Sequence, residues 1–306
     1  MTPVTHAQNP GLRAPLSMPE GACDCHTHVF GPPSAYPFDP SRVYTPGPAS
    51  IQQLRTQHGK LGISRVVIVQ PSPYGADNRC TLDALSAYDP KDDDAARAVV
   101  VMDAHTSLSS LRDMHARGAR GVRVNLKTGG QNDPDVARTL LLDASARVEQ
   151  LGWHVQVFAS LAVIERLADE IARLAVPVVL DHFAGLRGEA GVTQAGYRCL
   201  LDLLASGNVY IKLSAAQRAS AAAAHEDMRP LVQGLVACRS DRLLWGSDWP
   251  HPGAWPGVAR SAQGIEPFHP IDDAQALERL ADWVGSQADW NAVMADNAAR
   301  LYGWPD

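Results

Sequence analysis

The sequence predicts an α/β fold, namely a (β/α)8 TIM barrel, regular or distorted, with an N-terminal arm and a C-terminal helix. Eight short apolar runs alternate along the chain with amphipathic helical patterns. Most of these runs are continuously apolar, as in parallel strands that are buried on both faces. Eight strand-and-helix units favour a closed barrel over a doubly wound open sheet, which is the alternative architecture for this pattern.

The predicted strands are short and lie at intervals along the whole chain. They cover residues 22–29, 65–70, 98–102, 121–126, 153–158, 176–181, 209–213 and 243–245. The clearest helical patterns cover residues 50–61, 133–151, 161–174, 194–205 and 273–285. In one of them, Asp133 precedes Pro134 at the first helical position, and Gly152 follows the last apolar residue. Such signals predict tight connections between helices and strands.

The chain after the last predicted strand is expected to form a long loop and a final helix. Residues 250–272 are rich in Pro and Gly, which predicts an irregular loop of the kind that often carries function. Residues 290–302 predict a helix that packs on the outside of the barrel. No linker or shift in composition divides the chain. We therefore expect an N-terminal arm at residues 1–20 and a single barrel domain at residues 21–306.

Composition excludes several classes of function. The 306 residues are 45% hydrophobic and 20% charged, which argues against disorder. The 27 Lys and Arg against 33 Asp and Glu give a net charge of −6, so neither nucleic acid nor an anionic membrane is an expected partner. No apolar run approaches the ~20 residues that span a bilayer. Without a secretory signal, and with scattered cysteines that we expect to be reduced, the chain is expected to be cytoplasmic, as a monomer or a homo-oligomer.

Polar side chains cluster where the predicted strands end, which is where barrels of this kind carry their catalytic groups. His26 and His28 end the first strand, His182 follows the sixth, and Asp248 follows the eighth. Because His26 and His28 are two residues apart on a strand, they point to the same side, as a metal or a substrate carbonyl would need. A buried carboxylate such as Asp248 would be avoided in an ordinary core.

Further polar groups at other strand ends would converge on the same mouth of the barrel. They include Ser72 after the second strand, Arg123 in the fourth and Arg218 shortly after the seventh. Asp24 and Asp181 precede the histidines, and we expect them to face the opposite way, which suits supporting or helix-capping roles as well as catalysis, so neither is counted among the site residues.

These motifs resemble the amidohydrolase superfamily, in particular the branch of amidohydrolase-related family 2 that contains 2-pyrone-4,6-dicarboxylate lactonase. The resemblance extends from about residue 20 to residue 303. The motifs that carry it are Asp-Cys-His-Thr-His-Val-Phe-Gly-Pro at 24–32, Gln-Pro-Ser at 70–72, Arg-Gly-Val-Arg-Val-Asn at 120–125, Leu-Asp-His at 180–182, Lys-Leu-Ser at 212–214 and Trp-Gly-Ser-Asp-Trp-Pro-His-Pro at 245–252. Relatives in this branch include sugar-acid lactonases, muconolactone-type lactonases and a lactone isomerase, so the resemblance implies lactone chemistry.

The resemblance also implies a role for each candidate residue. It makes Asp248 the general base that activates water. The scissile carbonyl would have three histidines as neighbours, which are His26, His28 and His182. The oxygens or carboxylate of the substrate would be held by Ser72, Arg123 and Arg218.

This chain departs from the pyrone lactonase at three positions. Gly129 and Gly185 stand where that lactonase would have arginines, and Phe158 stands where a tyrosine is expected. The loss of two of four cationic groups argues against a dicarboxylate held by paired arginines.

Three functions stay open at the level of sequence. The favoured one is metal-independent hydrolysis of a small carboxylated or sugar-acid lactone, with no cofactor required. An aspartate of ordinary pKa (~3.9) is a weak base, but an activated acyl group such as a lactone needs no stronger one. The second is a mononuclear zinc-dependent hydrolase or decarboxylase, whose zinc ligands would be His26, His28, His182 and Asp248. The third is a non-catalytic protein that binds a small acid.

Overall fold

A computed structural model describes residues 16–89 and 94–305. Eight parallel strands follow one another in chain order around a nearly closed barrel, which confirms the predicted (β/α)8 fold. The barrel strands are β1 Cys23–Thr27, β3 Arg65–Val69, β4 Ala96–Val100, β5 Ala119–Asn125, β6 His154–Phe158, β7 Val178–Leu180, β8 Val209–Ser214 and β9 Leu243–Gly246. Two further short strands, β2 Thr45–Pro46 and β10 Ile265–Glu266, pair in parallel with each other.

Helices connect the barrel strands and cover their outer faces. They are α1 Ile51–Leu61, α2 Arg79–Tyr88, α3 Leu108–Ala116, α4 Pro134–Val148, α5 Leu161–Arg166, α6 Ala168–Arg173, α7 Tyr197–Ala205, α8 Ala216–Ala219, α9 Arg229–Arg239, α10 Asp273–Val284, α11 Gln287–Asn291 and α12 Asn297–Tyr302. Helix α4 begins and ends as predicted: the Asp133 side chain accepts a hydrogen bond from the N–H of Asp135, and Gly152 takes the left-handed conformation after a final 3-10 turn.

Backbone hydrogen bonds close the barrel between its first and last strands. The N–H of His28 donates to the carbonyl of Trp249 at 2.8 Å, and the N–H of Asp248 donates to the carbonyl of His26 at 2.8 Å. The Asp24 carboxylate reinforces this seam, because one of its oxygens accepts from the N–H groups of both His26 and Ser247. The closure therefore places the residues that follow β9 directly beside the end of β1.

The last turn of the chain covers the N-terminal opening of the barrel. Tyr302 is fully buried and packs with interior residues such as Cys23 and Val67. Its ring centroid lies 5.2 Å from that of His154 at the start of β6. The prediction that residues 290–302 pack on the outside is therefore wrong for this last turn. Tyr302 instead packs under the barrel interior and shields its apolar side chains from water. The opposite opening is left for the site.

Two predictions concern the N-terminal arm and membrane-spanning helices. The predicted arm, residues 1–20, lies mostly outside the described residues, and its boundary with a single domain at residues 21–306 stays a prediction. Within residues 16–89 and 94–305, no helix combines the length and the apolar character needed to cross a membrane.

Candidate active site

A β-bulge in β1 turns His26 into the barrel. The register of β1 against β3 shifts between Asp24 and Thr27. Without the bulge, Asp24 and His26 would share one face of the strand, because side chains alternate. With it, the Asp24 carboxylate faces outward and lies 3.2 Å from Nε2 of His58 on α1, while the side chain of His26 is fully buried inside. Asp24 therefore faces away from the site, as predicted.

The four predicted catalytic residues meet at one oxygen of Asp248. This atom, Oδ1, lies 3.8 Å from Nε2 of His26, 3.6 Å from Nε2 of His28 and 3.9 Å from Nε2 of His182. The other oxygen, Oδ2, accepts a hydrogen bond from Nη2 of Arg218 at 2.6 Å. Asp248 is fully buried. The structure thus brings together residues from three distant strand ends.

Contacts at Nδ1 orient the three histidine rings. The partners are the Val69 carbonyl oxygen at 2.8 Å from His28, the Ser214 hydroxyl at 2.9 Å from His182 and an Asp181 carboxylate oxygen at 3.2 Å from His26. A carbonyl oxygen only accepts, so Nδ1 of His28 carries a proton, and in the neutral ring Nε2 is then the acceptor that faces the site. Nδ1 of His26 also lies 3.3 Å from Nζ of Lys212, an ammonium that only donates, so the contacts of His26 do not select one tautomer. The hydroxyl beside His182 both donates and accepts, so His182 can take either tautomer.

Burial and one guanidinium set the charges at this centre. Burial lowers the pKa of His26 well below its ordinary value and that of His182 to about 3, so both are neutral at pH 7. Burial alone would raise the pKa of the Asp248 carboxyl, but that pKa is held well below its usual range, and the Arg218 guanidinium is the strongest influence opposing burial. Asp248 is therefore ionised at neutral pH, which is the form that accepts a proton.

Asp181 lies inside the site, so the prediction that it faces away is wrong. One of its oxygens accepts hydrogen bonds from Nε and Nη2 of Arg123 at 3.3 and 3.2 Å, and the other lies 3.6 Å from Nζ of Lys212. Alternation along β7 places Val179 in the barrel interior and Asp181 on the same face. His182 is the exception to the alternation, because its φ of 49° turns its side chain back to the inner face. If the alternation of side chains is counted from the apolar residue Val179 and not from His182, the sequence predicts that Asp181 faces the barrel interior.

The predicted substrate-binding residues line one small open cavity beside the histidines. Ser72, Arg123 and Arg218 all contribute to its wall. Among the wall residues that the sequence analysis missed are Tyr44 and Arg260. Both lie outside the barrel strands, in segments where no strand-end motif points to a site.

The three departures from the pyrone lactonase have visible consequences. Gly185 has a φ of 78°, and a Cβ built there would lie 2.9 Å from the backbone nitrogen of Leu161, so an arginine does not fit this backbone. Nothing lies within 4 Å of a Cβ built at Gly129. Phe158 packs edge-on against the His182 ring, with ring centroids 4.9 Å apart, and adds an apolar wall in place of a hydroxyl.

The donors around Asp248 also fit a divalent metal. Zinc binds histidine nitrogen and carboxylate oxygen at about 2.0 to 2.2 Å, which sets the ligand atoms of a tetrahedral site about 3.3 Å apart. The distances from Asp248 to the three histidines, 3.6 to 3.9 Å, are only slightly longer. Nε2 of His26 and Oδ1 of Asp248 are buried and have no hydrogen-bond partner among the described residues. His26, His28 and Asp248 present donor atoms that all lie within 4.8 Å of one another, so these three could hold zinc. The predicted fourth ligand, His182, does not belong to this group and instead forms a second one with His26 and Asp181.

Comparison with known proteins places the chain in a family. The sequence model of the family described as Amidohydrolase matches residues 23–304. The chain is 33% identical to 4-sulfomuconolactone hydrolase of Rhizobium radiobacter, over 98% of this chain and 97% of that protein. It is 32% identical to 2-pyrone-4,6-dicarboxylate hydrolase of Comamonas testosteroni, over 95% and 92% of the two chains. A solved Pseudomonas putida structure, assigned as a 2-pyrone-4,6-dicarboxylic acid hydrolase, is 30% identical with a TM-score of 0.76, over 94% of this chain and 98% of that chain. The resemblance found in the strand-end motifs is thereby confirmed, and the chain belongs to the amidohydrolase family.

Proposed function

We propose that this protein hydrolyses a small lactone carrying a carboxylate or sugar-acid group, and that Asp248 activates the attacking water. The observation that carries the proposal is the arrangement around Asp248, an ionised and fully buried carboxylate on which three histidine Nε2 atoms converge. Relatives that are 32 to 33% identical over nearly the whole chain are lactone hydrolases, so the enzyme is a lactonase-type hydrolase. The similarity to these hydrolases argues against the third function left open by the sequence, that of a non-catalytic protein that binds a small acid.

The tautomers at the site suggest how the water is held. Nε2 of His28 presents a lone pair, and Oδ1 of Asp248 also only accepts. A water between them donates one hydrogen to each, which leaves a lone pair of its oxygen free to face the substrate. In this arrangement His28 holds the attacking water and does not stabilise the oxyanion. That role falls to Arg123 and to His182, whose Nε2 can carry the proton.

The proposed reaction proceeds in two steps. The water oxygen bonds to the lactone carbonyl carbon while its proton passes to Asp248, and the carbonyl oxygen becomes an oxyanion held by Arg123 and His182. The oxyanion then collapses, the bond to the ring oxygen breaks, and the proton on Asp248 passes to that oxygen. The product is an open-chain hydroxy acid, which ionises and releases one proton at neutral pH.

A zinc-dependent form of this hydrolase is the second candidate, and the group of donors formed by His26, His28 and Asp248 favours it. Asp181 at Nδ1 of His26 and the Val69 carbonyl at Nδ1 of His28 are the kind of outer contacts that orient histidine ligands. When bound, zinc would polarise the carbonyl and lower the pKa of water to ~7. A lactone is already an activated acyl group, however, and Arg218 already compensates the charge of Asp248. We therefore propose that the reaction does not require the metal.

Lactone hydrolysis is expected to survive removal of metal. The protein is dialysed against a chelator, its zinc content is measured by elemental analysis, and proton release from each lactone is followed in chelated buffer. We expect kcat to be unchanged at substoichiometric zinc, because Asp248 and Arg218 are chain residues that chelation leaves in place. One zinc per chain, with kcat lost on chelation and restored by zinc, would establish the zinc-dependent form instead.

A further inference from the structure

Arg260 reaches the cavity from the loop that follows β9. It lines the same wall as Ser72, Arg123 and Arg218. Its Cζ lies 3.7 Å from the ring centroid of Tyr44, which is a cation–π contact with a buried ring. Only 17% of the Arg260 side chain is exposed. The guanidinium is therefore fixed at the cavity wall and does not extend freely into solvent.

A carboxylate outside the catalytic centre holds Arg260 in this position. Nε of Arg260 donates to one oxygen of Glu266 at 2.8 Å, and Nη2 donates to the other. Glu266 lies on β10, which pairs with β2 beside Tyr44. The bidentate pair uses two nitrogens of the guanidinium and leaves Nη1 for a third group. Arg260 is thus preorganised by its own strand pair.

The other two arginines of this wall are committed to the centre. Arg123 pairs with Asp181, and Arg218 pairs with Asp248. Among the cavity arginines that the structure describes, Arg260 is the one whose carboxylate partner lies away from the histidines. A charged group bound by Arg260 would therefore leave the charges around Asp248 undisturbed.

The groups around Arg260 suit an oxyanion. The nearby wall offers hydroxyl and amide groups, which belong to Tyr44, Ser72, Asn125 and Thr128. Burial raises the pKa of the Tyr44 hydroxyl, and Arg260, Arg218 and Arg123 oppose this rise, so the hydroxyl lies within the field of all three cations and stays protonated as a donor. Guanidinium and hydroxyl donors together match carboxylate and sulfonate oxygens.

We propose that Arg260, with Tyr44 and Ser72, binds a second anionic substituent of the lactone, distant from the scissile carbonyl. The site then selects lactones with two anionic groups over those with one. This inference deepens the lactone hydrolysis proposed above and rests on it. Arg260 acts on substrate affinity and takes no part in proton transfer.

The test compares two lactones that differ in one anionic group, muconolactone with a single carboxylate and 4-sulfomuconolactone with an added sulfonate. In Arg260→Gln, KM for the dianionic lactone is expected to rise on the order of 30-fold, as for the loss of a hydrogen bond between charged groups. Its kcat, and both constants for muconolactone, are expected to stay near the wild-type values. Arg260→Lys keeps the charge and is expected to recover part of the affinity for the dianion.

A second arginine provides a matched control. Arg242 also lies over a tyrosine, with Cζ 5.2 Å from the Tyr210 ring centroid, and pairs with Asp241, but at the start of β9 and away from the cavity. Arg242→Gln is expected to leave both lactones unaffected. An equal rise of KM for both lactones in Arg260→Gln, or a loss confined to kcat, would overturn the proposal.

The failure of lactone hydrolysis itself can be distinguished from the failure of this inference. If the wild-type protein opens neither lactone, the proposed function is wrong, and calorimetric binding of the same two lactones then tests Arg260. Weaker binding of the dianion alone in Arg260→Gln would still support an anion site at this residue. Equal binding of both lactones by wild type and variant would overturn it.

Discussion

Replacing Asp248 with asparagine is expected to lower kcat for lactone hydrolysis by about 10³- to 10⁴-fold. An amide cannot take the proton of the attacking water at neutral pH, while its size and its hydrogen bond with Arg218 are close to those of the native side chain. Removal of a buried charge does not disturb the strand seam, which depends on the backbone of Asp248. The measurement is kcat from proton release at saturating lactone, with thermal unfolding recorded beside it.

Asp241→Asn is the matched control for this variant. Asp241 precedes β9, at the end of the strand opposite to Asp248, and pairs with Arg239 and Arg242 at the surface. Its replacement is expected to leave kcat unchanged. If the folded Asp248→Asn protein kept wild-type turnover, water activation would have to be assigned to another group.

Replacing Lys212 with methionine is expected to lower the free energy of unfolding by about 3 to 5 kcal/mol. Lys212 is fully buried in the barrel, where its Nζ donates to Oε1 of Gln156 at 2.6 Å and lies 3.6 Å from Oδ1 of Asp181. Methionine has a similar volume, so the change removes the charge without opening a large cavity. Asp181 would then remain buried with Arg123 as its cationic partner. Urea denaturation of the purified variant measures the loss.

Two further variants identify the origin of this loss. Asp181→Asn added to Lys212→Met neutralises both members of the pair, so the double variant is expected to be more stable than the sum of the single changes predicts. Lys127→Met changes an exposed lysine and is expected to alter the free energy of unfolding by no more than about 0.5 kcal/mol. A Lys212→Met protein as stable as Lys127→Met would show that the buried charges are not coupled.

The barrel and the centre of the site could be predicted because both depend on local features of the sequence. Parallel strands buried on two faces give continuous apolar runs, and each of the eight predicted runs overlaps a barrel strand. Polar residues that interrupt such runs at their carboxyl ends have few structural reasons to be there. His26, His28 and Asp248 stand out for this reason, and the structure brings both histidines within 4 Å of Asp248.

Departures from regular backbone geometry account for one prediction that failed. The inward position of Asp181 follows from alternation along β7, but His182 masks it by adopting a positive φ. The bulge in β1 similarly places Asp24 and His26 on opposite faces of the strand, although residues two apart in a regular strand lie on the same face. Neither the bulge nor the positive φ can be predicted from residue type, because no glycine occupies either position.

Tertiary contacts account for the remaining residues that were missed. Arg260 lies in a loop in which sequence patterns predict only irregular structure, and its role depends on Tyr44, more than 200 residues earlier in the chain. The burial of Tyr302 beneath the barrel likewise depends on the interior it covers, which belongs to strands far away in sequence. Such positions become visible only after the barrel has been assembled.

The most direct test of lactone hydrolysis at this site is proton release by the purified wild-type protein from a panel of lactones. The panel includes pyrone carboxylates, muconolactone, 4-sulfomuconolactone and aldonolactones, each measured against the uncatalysed rate. We predict that at least one carboxylated lactone is turned over to completion, with one proton released by the new carboxyl group for each ring opened. The identified product is the open-chain hydroxy acid or, where the freed oxygen is enolic or shares its carbon with a sulfonate, the keto acid that forms from it. Proton release at the uncatalysed rate for every lactone, from a protein shown to be folded, would contradict the assignment.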